Sequence, residues 1–181
     1  HMHGLTSQMD KVMEIAEKYN LYVIEDCAQS FLATYNKKYA GTLADIGGLS
    51  LNYHKHIHTG EGGVIFTNNK KYAEKMKMIR NHAEAVISKR NNFPLINMLG
   101  NNFRLGEIES GIGICQLKKL KSIIKKRNIF ANKITRGLSH LNGIRLPIIK
   151  KNCSHSFYTY PIILSLDKLK TSRKRICKEL R

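Results

Sequence analysis

The chain has 181 residues, of which 42% are hydrophobic, enough for a sizeable core in one domain or one and a part. With 13 glycines and 3 prolines a long disordered tract is excluded; no apolar run reaches membrane-spanning length, and the first residues lack a signal-peptide layout. The formal net charge of +18 is spread over lysine-rich stretches without interleaved aromatic residues, so a solvated basic surface is preferred over a nucleic-acid site, and the same field suits an anionic metabolite. In chain order, residues 6–20 are a predicted helix, capped by Thr6 or Ser7, with Met9, Val12, Met13, Ile15, Ala16 and Tyr19 at helical spacing. Residues 21–25 (LYVIE) form a short apolar run, the pattern of a buried parallel strand. Two short extended stretches flank Asn36-Lys37 as a hairpin. Brief strands follow at 48–51 and 63–67, the second entered through a glycine-rich turn, and Asn68 or Asn69 caps a helix reaching about residue 81.

Residues 82–101 have weak periodicity and read as a loop. A long helix is expected from about residue 105 to 138, with or without a break. Ile108, Ile112, Ile114, Cys115, Leu117, Leu120, Ile123 and Ile124 form its apolar stripe, and Gly111 and Gly113 mark close packing. Residues 144–149 and 157–165 read as strands, and a final helix begins at about Lys168. Alternating helix and strand in the first 80 residues predicts an α/β sheet with crossover helices, handing over through the long helix to a smaller unit.

Three tracts carry candidate chemistry. Glu25-Asp26-Cys27-Ala28-Gln29 ends an apolar strand, where ligands of open α/β sheets bind. Asp26 can pair with a buried cation such as a protonated pyridine nitrogen, and Gln29 can donate to a ring hydroxyl oxygen; alone, an acid at a strand end is more often a cap or a metal ligand. The second tract, from Ser50 to Gly63, places Lys55 between a strand end and a glycine-rich turn. Such a lysine can form a Schiff base with an aldehyde cofactor, and Ser50 can hydrogen-bond a phosphate. His54, His56 and His58 alternate there, and a metal site is weighed below a structural or substrate-facing role. In the third tract, Asn102 and Arg104 precede the long helix and can meet an anion near its start; the bland alternative is a helix cap and a surface arginine. Cys27, Cys115, Cys153 and Cys177 lie too far apart for a zinc knuckle or redox pair and suit reduced thiols in a cytoplasmic protein.

In this order the tracts resemble the DegT/DnrJ/EryC1/StrS family of nucleotide-sugar aminotransferases. The resemblance rests on Glu25-Asp26 with Gln29, Ser50 with Lys55, Thr59 to Gly63, Gly100 with Asn102-Phe103-Arg104, and Gln116-Leu117. It implies an α/β, fold type I pyridoxal-phosphate transferase: residues 1–105 as part of the cofactor-binding large domain, 106–140 as a connecting helix, and 141–181 as an incomplete small α+β domain. It further implies that Asp26 pairs with the pyridine nitrogen, Gln29 approaches the ring hydroxyl and Ser50 holds the phosphate. Lys55 then forms the internal aldimine and shuttles a proton, and Asn102 reaches the phosphate of a neighbouring subunit in a homodimer that shares its active sites. Glutamate would donate the amino group to a keto group of a nucleotide-diphosphate-linked deoxysugar, with His54, His56 and Arg104 as substrate contacts and no metal. Leu51 and Asn52 depart from the Phe and His of many members, and Phe31-Leu32 from His-Gly; these bear on sugar choice. The resemblance also leads to the expectation of a chain truncated at both ends. A sister group, the sugar 3-dehydratases, has His in place of the lysine, and Lys55 argues against that alternative. A basic nucleic-acid-binding relative would not need Asp26, Gln29, Ser50 and Lys55 together.

Overall fold

A computed structural model describes residues 1–84 and 98–180. The elements run α1 (Met9–Lys18), β1 (Ile24–Asp26), β2 (Thr34–Tyr35), β3 (Lys38–Tyr39), β4 (Ile46–Ser50), β5 (Gly63–Phe66), α2 (Lys70–Arg80), α3 (Glu107–Leu138), β6 (Ile144–Arg145), β7 (Ile163–Leu164) and α4 (Arg173–Glu179). The main sheet has the order β1-β4-β5. β1 pairs with β4 in parallel, with Asp26 opposite Gly48, and β5 pairs with β4 antiparallel, with Ser50 opposite Gly63. The carboxyl ends of β1 and β4 therefore lie side by side, carrying Asp26 and Ser50.

Local chemistry explains several elements. Asn36 and Lys37 both take positive φ, 49° and 66°, the geometry a two-residue hairpin turn demands and one that asparagine tolerates. Asn69 caps α2 through its side-chain oxygen, which accepts from the N–H groups of Lys71 and Tyr72. The long helix is unbroken over 32 residues.

Other expectations need correction. α1 begins at Met9, after Gln8, and neither Thr6 nor Ser7 caps it; the Ser7 N–H donates to His1 Nδ1 and the Thr6 hydroxyl to the Thr34 carbonyl. The 21–25 run pairs only from Ile24, and its apolar side chains face outward, Ile24 being 71% exposed. The strand is parallel as expected, but Glu25 is its buried residue. The strands expected at 144–149 and 157–165 contract to β6 and β7, and the end of the chain enters α4 through a 3-10 turn at Leu166–Lys168. Much of the α3 stripe is exposed, including Ile108, Ile114 and Leu117, whereas Leu120 and Ala131 are buried. A Cβ on Gly113 would approach Thr59 at 3.2 Å, so this glycine marks close packing; Gly111 faces open space. In the 82–101 stretch, residues 82–84 and 98–101 hold no helix or strand, and the rest lies outside the described residues. Among the described residues, no helix is long and apolar enough to cross a membrane.

The core sits under the second tract. Phe31, Leu51, Ile57 and Leu120 form one buried cluster, joined by Leu32, Leu49, Ile123 and Ile124, and Cys27, Ala33 and Ala40 form another that shares Leu49. Burying each large aliphatic side chain contributes about 1.5–3 kcal/mol, so α3 is fastened to the sheet where the lysine loop leaves β4.

Candidate active site

Lys55 stands on a loop whose two ends are pinned. Leu51 and Ile57, on either side, are buried in the core. Leu51 also donates its N–H to the Gly62 carbonyl at 2.8 Å and accepts from the Thr59 N–H at 3.0 Å. Within the loop the Lys55 N–H donates to the Asn52 carbonyl, and Asn52 Oδ1 accepts from the His54 N–H. The turn that closes the loop requires glycine: Gly60 and Gly62 have φ of 90° and 149°, and a Cβ on Gly62 would meet Thr59 Oγ1 and Leu105 Cδ1. Asn52 Nδ2 donates to Glu61 Oε1 at 2.7 Å, bracing the loop against this turn. The half-buried Lys55 lies with Nζ 4.9 Å from the ring centroid of Tyr158.

The first tract divides by strand alternation. Glu25 turns inward, and its carboxylate accepts from the N–H groups of Gly41, Leu43 and Ala44 and from His1 Nε2 at 2.7–2.8 Å. It is a structural anchor for the 41–44 turn. Asp26 turns outward beside the end of β4, with Oδ1 accepting from the Ala28 N–H at 2.9 Å. Gly48, its partner across the strands, has open space where a Cβ would stand, leaving room next to the carboxylate. Gln29 Oε1 accepts from the His3 N–H at 2.7 Å, which commits the amide oxygen and leaves the NH2 end as the donor. Ser50 Oγ accepts from the Asn52 N–H at 3.3 Å.

The three histidines of the lysine loop differ in burial, with His58 half-buried. His54 is exposed and lies against Tyr53. His56 is buried between Phe31 and Tyr158 and donates from Nε2 to the Ser156 carbonyl at 3.0 Å. Burial pushes its pKa down to about 4, against the Ser156 carbonyl, which favours the protonated ring. His155, nearby, is likewise pushed down to about 4 by burial; its Nδ1 accepts from the Phe157 N–H. Among the described residues, the histidine, cysteine and acidic ligand atoms that converge are those of His1, Glu25 and Cys27. There His1 already donates from Nε2 and accepts at Nδ1, and both Glu25 oxygens hold N–H groups. Burial and the Glu25 carboxylate push the Cys27 thiol up to about 11, away from the thiolate a metal needs.

The third tract is tied to the end of α2. Asn81 and Asn102 form an antiparallel bridge, the Phe103 N–H donates to the Arg80 carbonyl, and Arg104 Nη1 donates to Asn81 Oδ1 at 2.7 Å. Asn102 Oδ1 accepts from the Arg104 N–H at 3.4 Å. Both side chains are exposed, and Leu105 packs on the glycine turn, but neither side chain contacts Lys55 or Asp26. Glu107 and Glu109 occupy the first turn of α3, which weakens that terminus as an anion site.

Tyr158 was not singled out in the sequence. It lies in a run, Phe157 to Tyr160, whose residue types suggest only a strand. It reaches Lys55 because residues 153–157 fold back on the hairpin and on residues 3–5, through the bridges Tyr35–Cys153 and Leu5–His155.

A parallel pair of strands presenting an acid and a hydroxyl at their carboxyl ends, with a pinned lysine loop above, belongs to part of a fold type I α/β transferase. The chain belongs to the DegT/DnrJ/EryC1/StrS aminotransferase family, whose profile matches residues 1–181. It is 33% identical over 181 residues to GDP-perosamine synthase of Caulobacter vibrioides, covering 99% of this chain and 47% of that one. It is also 33% identical over 164 residues to a UDP-4-amino-4,6-dideoxy-N-acetyl-beta-L-altrosamine transaminase of Campylobacter jejuni, covering 89% and 42%. The X-ray structure of an aminotransferase from Psychrobacter cryohalolentis superposes with a TM-score of 0.90 at 29% identity, covering 99% of this chain and 50% of that one. The chain thus spans about half the length of the curated relatives it matches.

Proposed function

We propose that the chain is the lysine-bearing part of a pyridoxal-phosphate-dependent aminotransferase that moves an amino group from glutamate to a keto group of a nucleotide-diphosphate-linked deoxysugar. The observation that carries this reading is Lys55 on its pinned loop at the carboxyl end of β4, with Asp26 at the end of the parallel neighbour β1. Relatives named for nucleotide-sugar amination support the substrate class. The residues suit the cofactor: an outward carboxylate, open space at Gly48 beside it, an amide NH2 from Gln29, the Ser50 hydroxyl and a primary amine. When bound, pyridoxal phosphate supplies an electron sink for cleavage of a substrate C–H bond.

On this reading Asp26 would keep the pyridine nitrogen protonated, Gln29 would donate to the ring hydroxyl oxygen and Ser50 Oγ would donate to the phosphate. Lys55 Nζ would hold the cofactor covalently and, when released from it, would take or return a proton at the substrate carbon. Exposed His54 and Arg104 are proposed substrate contacts; His56, whose ring is taken up by Ser156, Phe31 and Tyr158, acts by holding the loop. Asn102 is proposed to reach the phosphate of a second copy in a homodimer, an arrangement favoured by the exposed Phe103 next to it and the exposed Ile108 and Leu117 on α3. The test is product mass after incubation with glutamate, pyridoxal phosphate and a keto-deoxysugar nucleotide. An aminosugar nucleotide with matching 2-oxoglutarate, lost in Lys55→Ala, is expected. A 3-deoxy product lacking the new amine would show the dehydratase reaction instead, and no amine transfer would contradict the proposal.

A further inference from the structure

Lys55 Nζ lies 4.9 Å from the centre of the Tyr158 ring, within the range in which an ammonium is attracted to an aromatic face. Among the described residues Lys55 forms no ion pair, and the Tyr158 ring is the group its ammonium lies over. Tyr158 is held by contacts that do not involve the lysine. Arg127 of α3 donates from Nη1 to the carbonyls of Phe157 and Tyr158 at 2.9 and 3.2 Å, and Asn128 donates to the His155 carbonyl at 3.0 Å. Phe157 takes a positive φ of 47° and stacks on His155. His56, next to Lys55, donates to the Ser156 carbonyl, and its ring lies 5.7 Å from that of Tyr158. Loop and tyrosine are thus fastened to each other and to α3 on both sides of the amine.

We propose that Tyr158 is a positioning residue for the Lys55 amine: its ring face parks the ammonium at one point of the loop and restrains its reactivity until the amine leaves the ring. The inference rests on the reading of Lys55 as the reactive amine, but its test needs no cofactor. In the 181-residue chain, the initial rate at which acetic anhydride modifies Lys55 at neutral pH is measured by mass spectrometry, with exposed Lys38 as internal reference. Tyr158→Leu removes the π face and keeps bulk; Tyr158→Phe keeps the face and removes the hydroxyl. Lys55 is expected to react ~two- to fivefold faster in Tyr158→Leu, in line with the strength of an exposed cation–π contact, and at the parental rate in Tyr158→Phe. An unchanged rate in Tyr158→Leu, or an equal increase in Tyr158→Phe, overturns the proposal. Should Tyr158→Leu fail to fold, the parental chain and Tyr158→Phe decide by NMR. The Lys55 ε-methylene protons are expected upfield of those of Lys38 in both, and the absence of that ring-current shift overturns the proposal. Cofactor trapped on a different lysine would remove the proposed function while leaving the ring contact standing.

Discussion

Glu25 points its carboxylate at the N–H groups of Gly41, Leu43 and Ala44, while Asp26, one residue on, faces the open end of the sheet. Two acids of the same chemistry thus have different surroundings, one fixing a turn and the other exposed with the Ala28 N–H on its carboxylate, because successive strand residues face opposite sides. His56 and His155 show the same power of environment. An unfolded histidine takes up a proton near pH 6.5, whereas burial holds both rings neutral to about 4. Arg127 and Lys55 face His56, and His3 faces His155, adding positive charge that opposes protonation further. Unfolding therefore binds protons across this interval. The stability present above about pH 6.5 is expected to fall as the pH drops to 4, by about 2–3 kcal/mol per histidine. Urea midpoints at pH 7 and 4.5 check this, and His56→Asn should flatten the dependence; a midpoint that does not move between these pH values contradicts it.

Elements set by local chemistry were legible in the sequence. Asn36-Lys37 announced its turn, and the pair Asn68-Asn69 announced the start of α2, with Asn69 the cap, because these residues act through their own or adjacent backbone. Asn69→Ala removes the acceptor for two N–H groups and is expected to cost about 1 kcal/mol, seen as a lower urea midpoint with faster amide exchange at Lys71 and Tyr72; unchanged exchange there would contradict the cap. What long-range packing decides was not legible. Residues 157–165 carry strand-type residues, yet Phe157 to Tyr160 are spent on contacts to α3, to His3 and to one another, leaving Ile163–Leu164 to pair. The candidate site divides in the same way. Asp26, Gln29, Ser50 and Lys55 stand out in the sequence because each sits at a strand end or turn with a motif around it. Tyr158 was missed because its approach to Lys55 depends on a fold-back that no nearby residue signals.

At the scale of the molecule, the chain spans about half the length of its curated relatives, and its surface carries exposed Ile24 and Ile65 on the sheet and Ile108 and Leu117 on α3. Large apolar side chains exposed in number commonly mark contact surfaces. The lysine loop has its core anchors, glycine turn and aromatic partner all within the chain. The central claim, that Lys55 is the cofactor-bearing amine, is tested most directly by incubating the chain with pyridoxal phosphate, reducing with borohydride and mapping the label by peptide mass spectrometry. The expected result is a single pyridoxyl adduct on Lys55, absent in Lys55→Ala and weakened in Asp26→Ala. Label spread over the exposed lysines, or undiminished labelling of the chain in Lys55→Ala, would contradict the claim.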